Sequence, residues 1–514
     1  MENTAFTLSA LFFAVYMFFA EKGYIHILQL NSYRPERYLR WMGENKMKAA
    51  YLRAVILLFS LIGAAASLSA EHFALAALMA LSAPYKVKKA KKPLVYTMRV
   101  KRLFAFSYIP VLALIAAAAF APGIWKSVIL IAGALLTPWV VLLSLYISLP
   151  VESAISRHFV NDAKKILAGH KNLKIIGVTG SYGKTSMKYA LTTLLSEKYS
   201  VLMTPGSYNT TMGVVRTIRE QLKSTHQIFV VEMGAKNIGD IKEICDLVHP
   251  DFGVITSVGP QHLETFGTVD NVCRTKFELA DAVDEKGGTV FLNADNEYIR
   301  EYIKKKKYKN TVTFGTAKGA DFKAENISYS GRGAAFIING QRLSTSLLGD
   351  YSAVNIAGAY AVASSLGVDK ADIAAAVRKL KAPEHRLSLI KNPRYTVIDD
   401  AYNSNPAGAA AALNALSRFP ERKILVTPGM VELGSEQERL NTEFGREAAG
   451  KADYIVLVGE KQAPPIKKGV LEAGFPEDRL YVAADISDAL AFVYKITDVP
   501  SVVLLENDLP DNFL

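Results

Sequence analysis

The sequence predicts an α/β protein with two parallel-sheet blocks, preceded by an all-α transmembrane region. Three observations predict it. Strand-like and helix-like segments alternate from Leu173 onward, the alternation begins afresh near Tyr395, and the first 150 residues instead carry long charge-free apolar runs. A chain of 514 residues exceeds one ordinary core, and the expected division is 1–150, 151–385 and 386–514. Half of the residues are hydrophobic, which excludes a disordered chain. Two cysteines, Cys245 and Cys273, exclude a disulfide scaffold and are too few for a zinc cluster. The net charge of +12 is concentrated at the front, where residues 1–150 hold 16 Lys/Arg against 5 Asp/Glu. The rest is nearly neutral, which argues against nucleic acid as a partner.

The apolar runs are 4–20, 54–70, 73–84, 104–120 and 127–149. A spanning helix needs about 20 apolar residues, with about 17 as a lower limit. Four runs satisfy this; 73–84 is short and reads as a span, a re-entrant or amphipathic segment, or half of a hairpin with 54–70. The segments 21–53 and 85–103 carry seven and eight basic residues, whereas 71–72 and 121–126 together carry one Lys or Arg. Basic connections stay cytoplasmic. Five spans with the N-terminus outside satisfy the alternation and leave everything after Pro150 in the cytoplasm. A cleaved signal peptide at 4–20 lacks a basic leader and a small-residue cleavage site. The basic stretch 85–103 marks topology and also suits anionic lipid head groups.

Beyond Leu173, short strand-like runs fall at 174–178, 227–232, 251–258 and 289–292, with helical spacing of Met187, Leu191, Leu194 and Leu195 in 185–199. The second block reads strand 395–399, helix 407–416, strand 423–427, helix 435–449 and strand 454–459, with 382–393 as a linker. Such alternation implies parallel sheets whose functional groups collect at the carboxyl ends of the strands.

One of those ends carries the strongest local signal. Ile175-Ile176-Gly177-Val178 runs into Thr179-Gly180-Ser181-Tyr182-Gly183-Lys184-Thr185-Ser186. A strand enters, glycines turn, and a helix leaves. Backbone N–H groups and the helix N-terminus cradle phosphate oxygens in such a turn. Lys184 then neutralises the outer phosphates and the Thr185 hydroxyl reaches Mg²⁺. The spacing departs from the common nucleotide-binding pattern, because Val178 stands where a first glycine is expected. The expected first block is thus a P-loop-type ATPase domain and the second a Rossmann-like one.

Thr179–Thr185 resembles the T-G-x-x-G-K-T loop of the Mur ligases, ATP-dependent amide ligases of cell-wall precursor synthesis. Further motifs follow in that family's order. Glu232-Met233-Gly234-Ala235 resembles a segment whose glutamate holds Mg²⁺. His262-Leu263-Glu264 with Phe266-Gly267 resembles H-L-E-x-F-G, whose histidine is a second metal ligand. Lys276 stands where the family has a carbamylated lysine, Asn293 lies in an L-N-A-D stretch near the nucleotide, and Arg386 stands where an interdomain arginine reaches the γ-phosphate. Asp399-Asp400-Ala401-Tyr402-Asn403-Ser404-Asn405-Pro406 resembles the D-D-x-Y-N-A-N-P signature of the D-alanyl-D-alanine-adding branch, and 429–434 loosely matches G-D-M-x-E-L-G. The likeness covers about 165–514.

The departures are equally specific. The family's uridine-binding N-terminal domain is replaced by apolar runs. G-x-H-N-x-x-N becomes Gly349-Asp350-Tyr351-Ser352-Ala353-Val354-Asn355, and Asn209 is followed by Thr210 where the family has a second asparagine. The metal and ATP motifs are kept; the grip on the acceptor is altered.

Taken singly, Glu232 is a loop carboxylate, His262 a loop histidine, Lys276 a solvated helix lysine and Arg386 a linker charge; their order is what lifts them. The resemblance implies ATP and Mg²⁺ as cofactors, with Thr185, Glu232, His262 and Lys276 on metal and Lys184, Arg386, Asp400 and Asn403 on the nucleotide side. Phosphorylating a carboxylate makes it an electrophile that an amine attacks. The implied partners are a cell-wall or envelope precursor, nucleotide- or lipid-linked, and an amino acid or dipeptide such as D-Ala-D-Ala. The expected setting is the cell membrane, with membrane lipids around the spans and catalytic domains in the cytoplasm. The rival from another class is a non-catalytic scaffold of the same fold.

Overall fold

The computed structural model describes residues 2–44, 93–123, 125–261, 263–402, 404–431, 433–459 and 463–508. The expected spans at 54–70 and 73–84, and the site residues His262 and Asn403, lie outside them. The chain divides into two units, Met1–His158 and Phe159–Leu514.

The described part of the first unit is helical. Helix Glu2–Leu30 covers the first apolar run and continues ten residues beyond it, burying Glu21, whose carboxylate accepts a 2.6 Å bond from Ser107 Oγ. Helix Met98–Phe120 starts before the expected 104, because Thr97 caps the Val100 N–H. Arg99, Lys101 and Arg102 therefore belong to the helix and not to a loop, and Arg102 is held by a bidentate pair with Glu152 at 2.6 and 2.9 Å. The expected span 127–149 is divided between helices Trp125–Leu135 and Thr137–Ala168. Pro138 has no N–H for the carbonyl of Ala134, and the Thr137 hydroxyl takes that carbonyl instead at 2.6 Å. The second of these helices also runs past Pro150. Among the described residues two helices, Met98–Phe120 and Thr137–Ala168, are long and apolar enough to cross a membrane; two of the five expected spans lie outside those residues.

The second unit holds two sheets among its described residues. The first has nine strands: β1 (Lys174–Thr179), β2 (Val201–Met203), β3 (Ile228–Glu232), β4 (Phe252–Ile255), β5 (Thr289–Asn293), β6 (Thr311–Gly315), β7 (Phe322–Ser330), β8 (Gly333–Ile338) and β9 (Gln341–Thr345). Their order is 2-3-1-4-5-6-7-8-9, parallel from β2 to β7 and antiparallel thereafter. Central strands buried on both faces need apolar interiors, and β1, β3 and β5 have them at 175–178, 228–231 and 290–292, with polar residues confined to their ends. Gly177 in β1 serves a close approach: a Cβ there meets Leu279 Cδ1 at 2.6 Å, so helix Val269–Glu285 packs directly on the strand. On the other face, helix Lys184–Leu195 buries Met187, Leu191, Leu194 and Leu195, the spacing read in the sequence. It ends four residues before the expected 199, where Lys198 and Tyr199 turn away to bond the carbonyls of Gly367 and Leu366.

The second sheet has six strands: β10 (Ser388–Lys391), β11 (Thr396–Asp400), β12 (Arg422–Thr427), β13 (Tyr454–Val458), β14 (Leu480–Ala483) and β15 (Ser501–Glu506), in the order 10-11-15-12-13-14. Only β10 runs antiparallel. The expected linker 382–393 thus contributes an edge strand. The central position goes to β15, whose apolar run Val502–Leu505 carried a strand signal that the sequence reading did not use. Helix Pro406–Ser417 starts on the Asn405 side chain, which accepts the Gly408 N–H at 2.8 Å, with proline at the first helical position.

Phe291, in the middle of β5, is fully buried in the core on one face of the first sheet, the core that also holds Met187, Leu191 and Phe314. Phe291→Ala is expected to destabilise this unit by about 3–5 kcal/mol, read as a lowered urea midpoint by circular dichroism.

Candidate active site

The order of the first sheet reverses at β1, which lies between β3 and β4. Open parallel sheets form a crevice at such a point. Four strand ends meet there and supply the residues singled out in the sequence.

After Thr179, Gly180 adopts φ +155°, and a Cβ on it would lie 2.1 Å from Thr256 Oγ1 and 2.9 Å from Ser257 N. Only glycine lets the loop pass this close to the end of β4. Backbone bonds then fix the turn: Ser181 N–H donates to the Ser257 carbonyl and Tyr182 N–H to Ser257 Oγ, both at 2.8 Å. The Tyr182 hydroxyl is tied to the Pro260 carbonyl at 2.7 Å. Gly183, at φ +80°, opens the helix Lys184–Leu195. The first N–H groups of that helix, which no helix can satisfy internally, stand at the turn. Lys184 Nζ folds back on the carbonyls of Gly180 and Ser181 at 2.6 and 3.2 Å. Burial pulls its ammonium down to about 8, Glu232 opposing and Arg386 adding to the shift.

Glu232 ends β3 and is 1 % exposed. Its carboxylate accepts from Thr185 Oγ1 at 3.1 and 3.2 Å and from Asn209 Nδ2 at 3.2 Å, and pairs with Lys188 Nζ at 3.0 Å. The structure thus joins two expected metal-side residues, Thr185 and Glu232, and adds Lys188, which sequence reasoning missed. Its signal was available: Lys188 falls on the apolar face of its helix, between Met187 and Leu191, where a solvated lysine does not belong. Lys276, buried on helix Val269–Glu285, is pushed down to about 7 by burial and, secondarily, by Lys184, while Asp240 and Glu278 oppose. Two hard oxygen donors meeting beside a phosphate-type turn fit a magnesium–nucleotide. Among the described residues no group of three or more His, Cys, Asp or Glu is arranged to hold a metal ion.

Asn293, at the end of β5, uses its amide inward. It donates to the Thr256 carbonyl at 2.7 Å and accepts the Asp295 N–H at 2.9 Å, so it braces the loop after β4.

The second sheet brings Arg386 and Asp400 to the same region. The Arg386 guanidinium lies 4.2 Å over the Tyr402 ring and interacts electrostatically with Asp400 and Glu232. Asp400 ends β11 in register with Glu506 of β15. Burial and the Glu506 carboxylate raise Asp400 to about 7, with Arg386 and the Leu387 N–H opposing. The altered motif at 349–355 has a structural use: Asp350 pairs with Arg418 and accepts from Asn414 Nδ2 at 2.7 Å, tying the first sheet's block to helix Pro406–Ser417.

A methyl group at Gly180 displaces Thr256 from under the turn. Gly180→Ala is therefore expected to weaken ADP binding by about tenfold or more in calorimetry. For Asp400, the folded state holds its proton more tightly than the unfolded one, so stability falls as pH rises from about 4 to about 7. Asp400→Asn removes that cost. Its melting temperature is expected above the parent's at pH 8, with the difference closing as pH falls below about 4.

Residues 178–363 match the Mur ligase middle domain and residues 385–506 the Mur ligase glutamate ligase domain, together more than half of the chain. The UDP-N-acetylmuramoyl-tripeptide--D-alanyl-D-alanine ligase of Bacillus subtilis is 29% identical over 339 residues, covering 65% of this chain and 72% of that enzyme. Its Escherichia coli counterpart is 30% identical over 295 residues, covering 56% of this chain and 65% of that enzyme, just under two thirds. Among solved structures, MurF from Acinetobacter baumannii superposes with a TM-score of 0.62 at 27% identity, covering 68% of this chain and 77% of that one. MurF ligase from Thermotoga maritima in complex with ADP gives 0.61 at 27%, covering 69% and 80%. The shared domains, in this order and on this fold, place the chain in the Mur ligase family of ATP-dependent ligases.

Proposed function

We propose that the protein is a membrane-anchored peptide ligase of the MurF kind, coupling D-Ala-D-Ala or a similar amine to a carboxylate on a muramoyl-peptide precursor. The observation that carries this reading is the meeting of the glycine turn, Lys184, Thr185 and Glu232 with Arg386 from the second sheet's block. The proposed organisation is 1–150 as anchor, 151–385 as the ATP-binding domain and 386–514 as the C-terminal domain. Two apolar helices and the basic residues around them support the anchor, with the catalytic domains on the cytoplasmic side.

In this reading the precursor carboxylate attacks the γ-phosphorus of ATP. The bond to the β-phosphate oxygen breaks and ADP leaves, giving an acyl phosphate. The amine nitrogen then attacks the acyl carbon, phosphate departs, and the nitrogen loses a proton. The turn from Thr179 to Ser186 holds phosphate oxygens with backbone N–H groups, and Lys184 and Arg386 face the negative charge that gathers during transfer. Bound Mg²⁺ supplies further neutralisation of the phosphates; Thr185 and Glu232 would hold one ion, and His262 with Lys276 a second. Lys276 ligates only as a carbamate, formed when its neutral amine adds CO₂ and releases a proton. An amine depressed to about 7 is largely neutral at cellular pH and suits that reaction. Asp400 and Asn403 are assigned to the nucleotide side of the C-terminal domain.

A second reading changes the acceptor. The matched domains begin at residue 178, and the residues before 159 form a separate unit that holds one apolar helix and most of a second. A lipid-linked precursor presented at the bilayer fits that arrangement.

Detergent-solubilised full-length protein is expected to release phosphate only when ATP, a precursor carboxylate and an amine are all present, and Lys184→Ala to abolish release. A UDP-linked precursor as the active acceptor supports the first reading and a lipid-linked one the second. ADP binding without acceptor-dependent turnover on either would favour a scaffold. Lys276→Ala is expected to lower kcat by about a hundredfold or more. In the parent, CO₂ depletion should lower activity and bicarbonate restore it, with recovery improving as pH rises through about 7 because the neutral amine fraction grows.

A further inference from the structure

The proposed mechanism does not use Lys188, a buried ionisable group beside Glu232. Lys188 is fully buried and holds two fixed partners, Glu232 Oε2 at 3.0 Å and the Gly206 carbonyl at 2.7 Å. The second partner belongs to the turn after β2, which is itself pinned: Asn209 reaches Glu232, and its carbonyl accepts the Gly234 N–H at 2.7 Å. A Cβ on Gly234 would overlap Asn209 at 2.7 Å, so this turn and the end of β3 are in contact. Lys188 is thus held from both sides, with its side chain wholly out of contact with solvent.

The charge count at Glu232 follows. Its single carboxylate is paired directly with Lys188, and Lys184 and Arg386 act on it electrostatically. A divalent cation approaching this carboxylate without phosphates meets a positive field in a buried site. The same cation carried on a triphosphate brings its own compensating anions.

We infer that Lys188 is a resident counter-cation of Glu232 that makes divalent-metal binding conditional on the nucleotide. Lys188 acts through Glu232 and is a positioning residue. It keeps the carboxylate compensated and in place before the metal arrives, and it prevents the bare site from filling with free cation. The inference rests on the reading of Glu232 as the metal-side carboxylate of a nucleotide site.

The test uses full-length protein and Mn²⁺ as the probe, followed by electron paramagnetic resonance, with and without ADP. The parent is expected to bind Mn²⁺ at this site only when ADP is present. Lys188→Gln is expected to bind Mn²⁺ without ADP about tenfold more tightly or better than the parent. Lys188→Arg, which keeps the charge, is expected to behave as the parent does. Glu232→Gln in the Lys188→Gln background should remove the new binding. Nucleotide-independent Mn²⁺ binding by the parent that Glu232→Gln abolishes would overturn the inference, and this holds even if the lysine variants do not fold. So would unchanged Mn²⁺ affinity in a folded Lys188→Gln. Failure of the parent to bind ADP at all sinks the nucleotide-site reading and the inference with it; ADP binding with either of the other adverse outcomes sinks the inference alone.

Discussion

Burying the Glu232 carboxylate beside a phosphate-type turn is the constraint on which the rest of the site depends. An unpaired buried carboxylate costs several kcal/mol, so the fold must surround it with donors. It does so with three residues from two elements: Thr185 and Lys188 one turn apart on the helix after β1, and Asn209 on the turn after β2. The parallel ladder between β1 and β3 sets Val178 beside Glu232, so these donors converge where the sheet order reverses. The glycine turn is held from the other side by Thr256 and Ser257 at the end of β4, and Asn293 at the end of β5 braces that loop. The site is a property of four strand ends at once.

The second sheet contributes by a different principle. Its own charged strand ends, Asp400 and Glu506, lie in register; burial raises both above the ordinary carboxylate range, and repulsion by Glu506 adds to the rise at Asp400. Arg386 offsets part of that repulsion while stacking on Tyr402, and it also feels Glu232 across the block boundary. The pair of Asp350 with Arg418, with Arg418 lying 4.7 Å over the Tyr329 ring, anchors the two sheets' blocks at a second place. A motif that departs from the family pattern has thereby become an interdomain tie. The positive charges that act on Glu232 come from both blocks, Lys184 and Lys188 from the first and Arg386 from the second.

Much of this was legible beforehand. The strands at β1, β3, β4, β5, β11, β12 and β13 were visible as apolar runs, and Thr185 with Glu232 as members of an ordered motif set. The features that leave no local pattern have physical reasons. The edge strand β10 lies in a polar stretch that reads as linker, because an antiparallel edge needs no apolar run. Helix Met98–Phe120 begins in a basic segment, because Glu152, fifty residues away, neutralises Arg102. The break before Pro138 was hidden inside a continuous apolar run, since a missing N–H leaves no mark on hydropathy.

The sequence by itself determined the α/β alternation, the phosphate-type turn and the apolar character of the first 150 residues, because these follow from local spacing and composition. Only the tertiary structure decided that Lys188 is a partner of Glu232 and not a surface cation, that Asn293 turns inward to brace a loop, and that Asp400 faces Glu506. Each of those outcomes depends on which strand ends are brought side by side and how deeply they are buried. Charge state and pairing are set by that burial and by neighbours distant in the chain, and no local pattern encodes them.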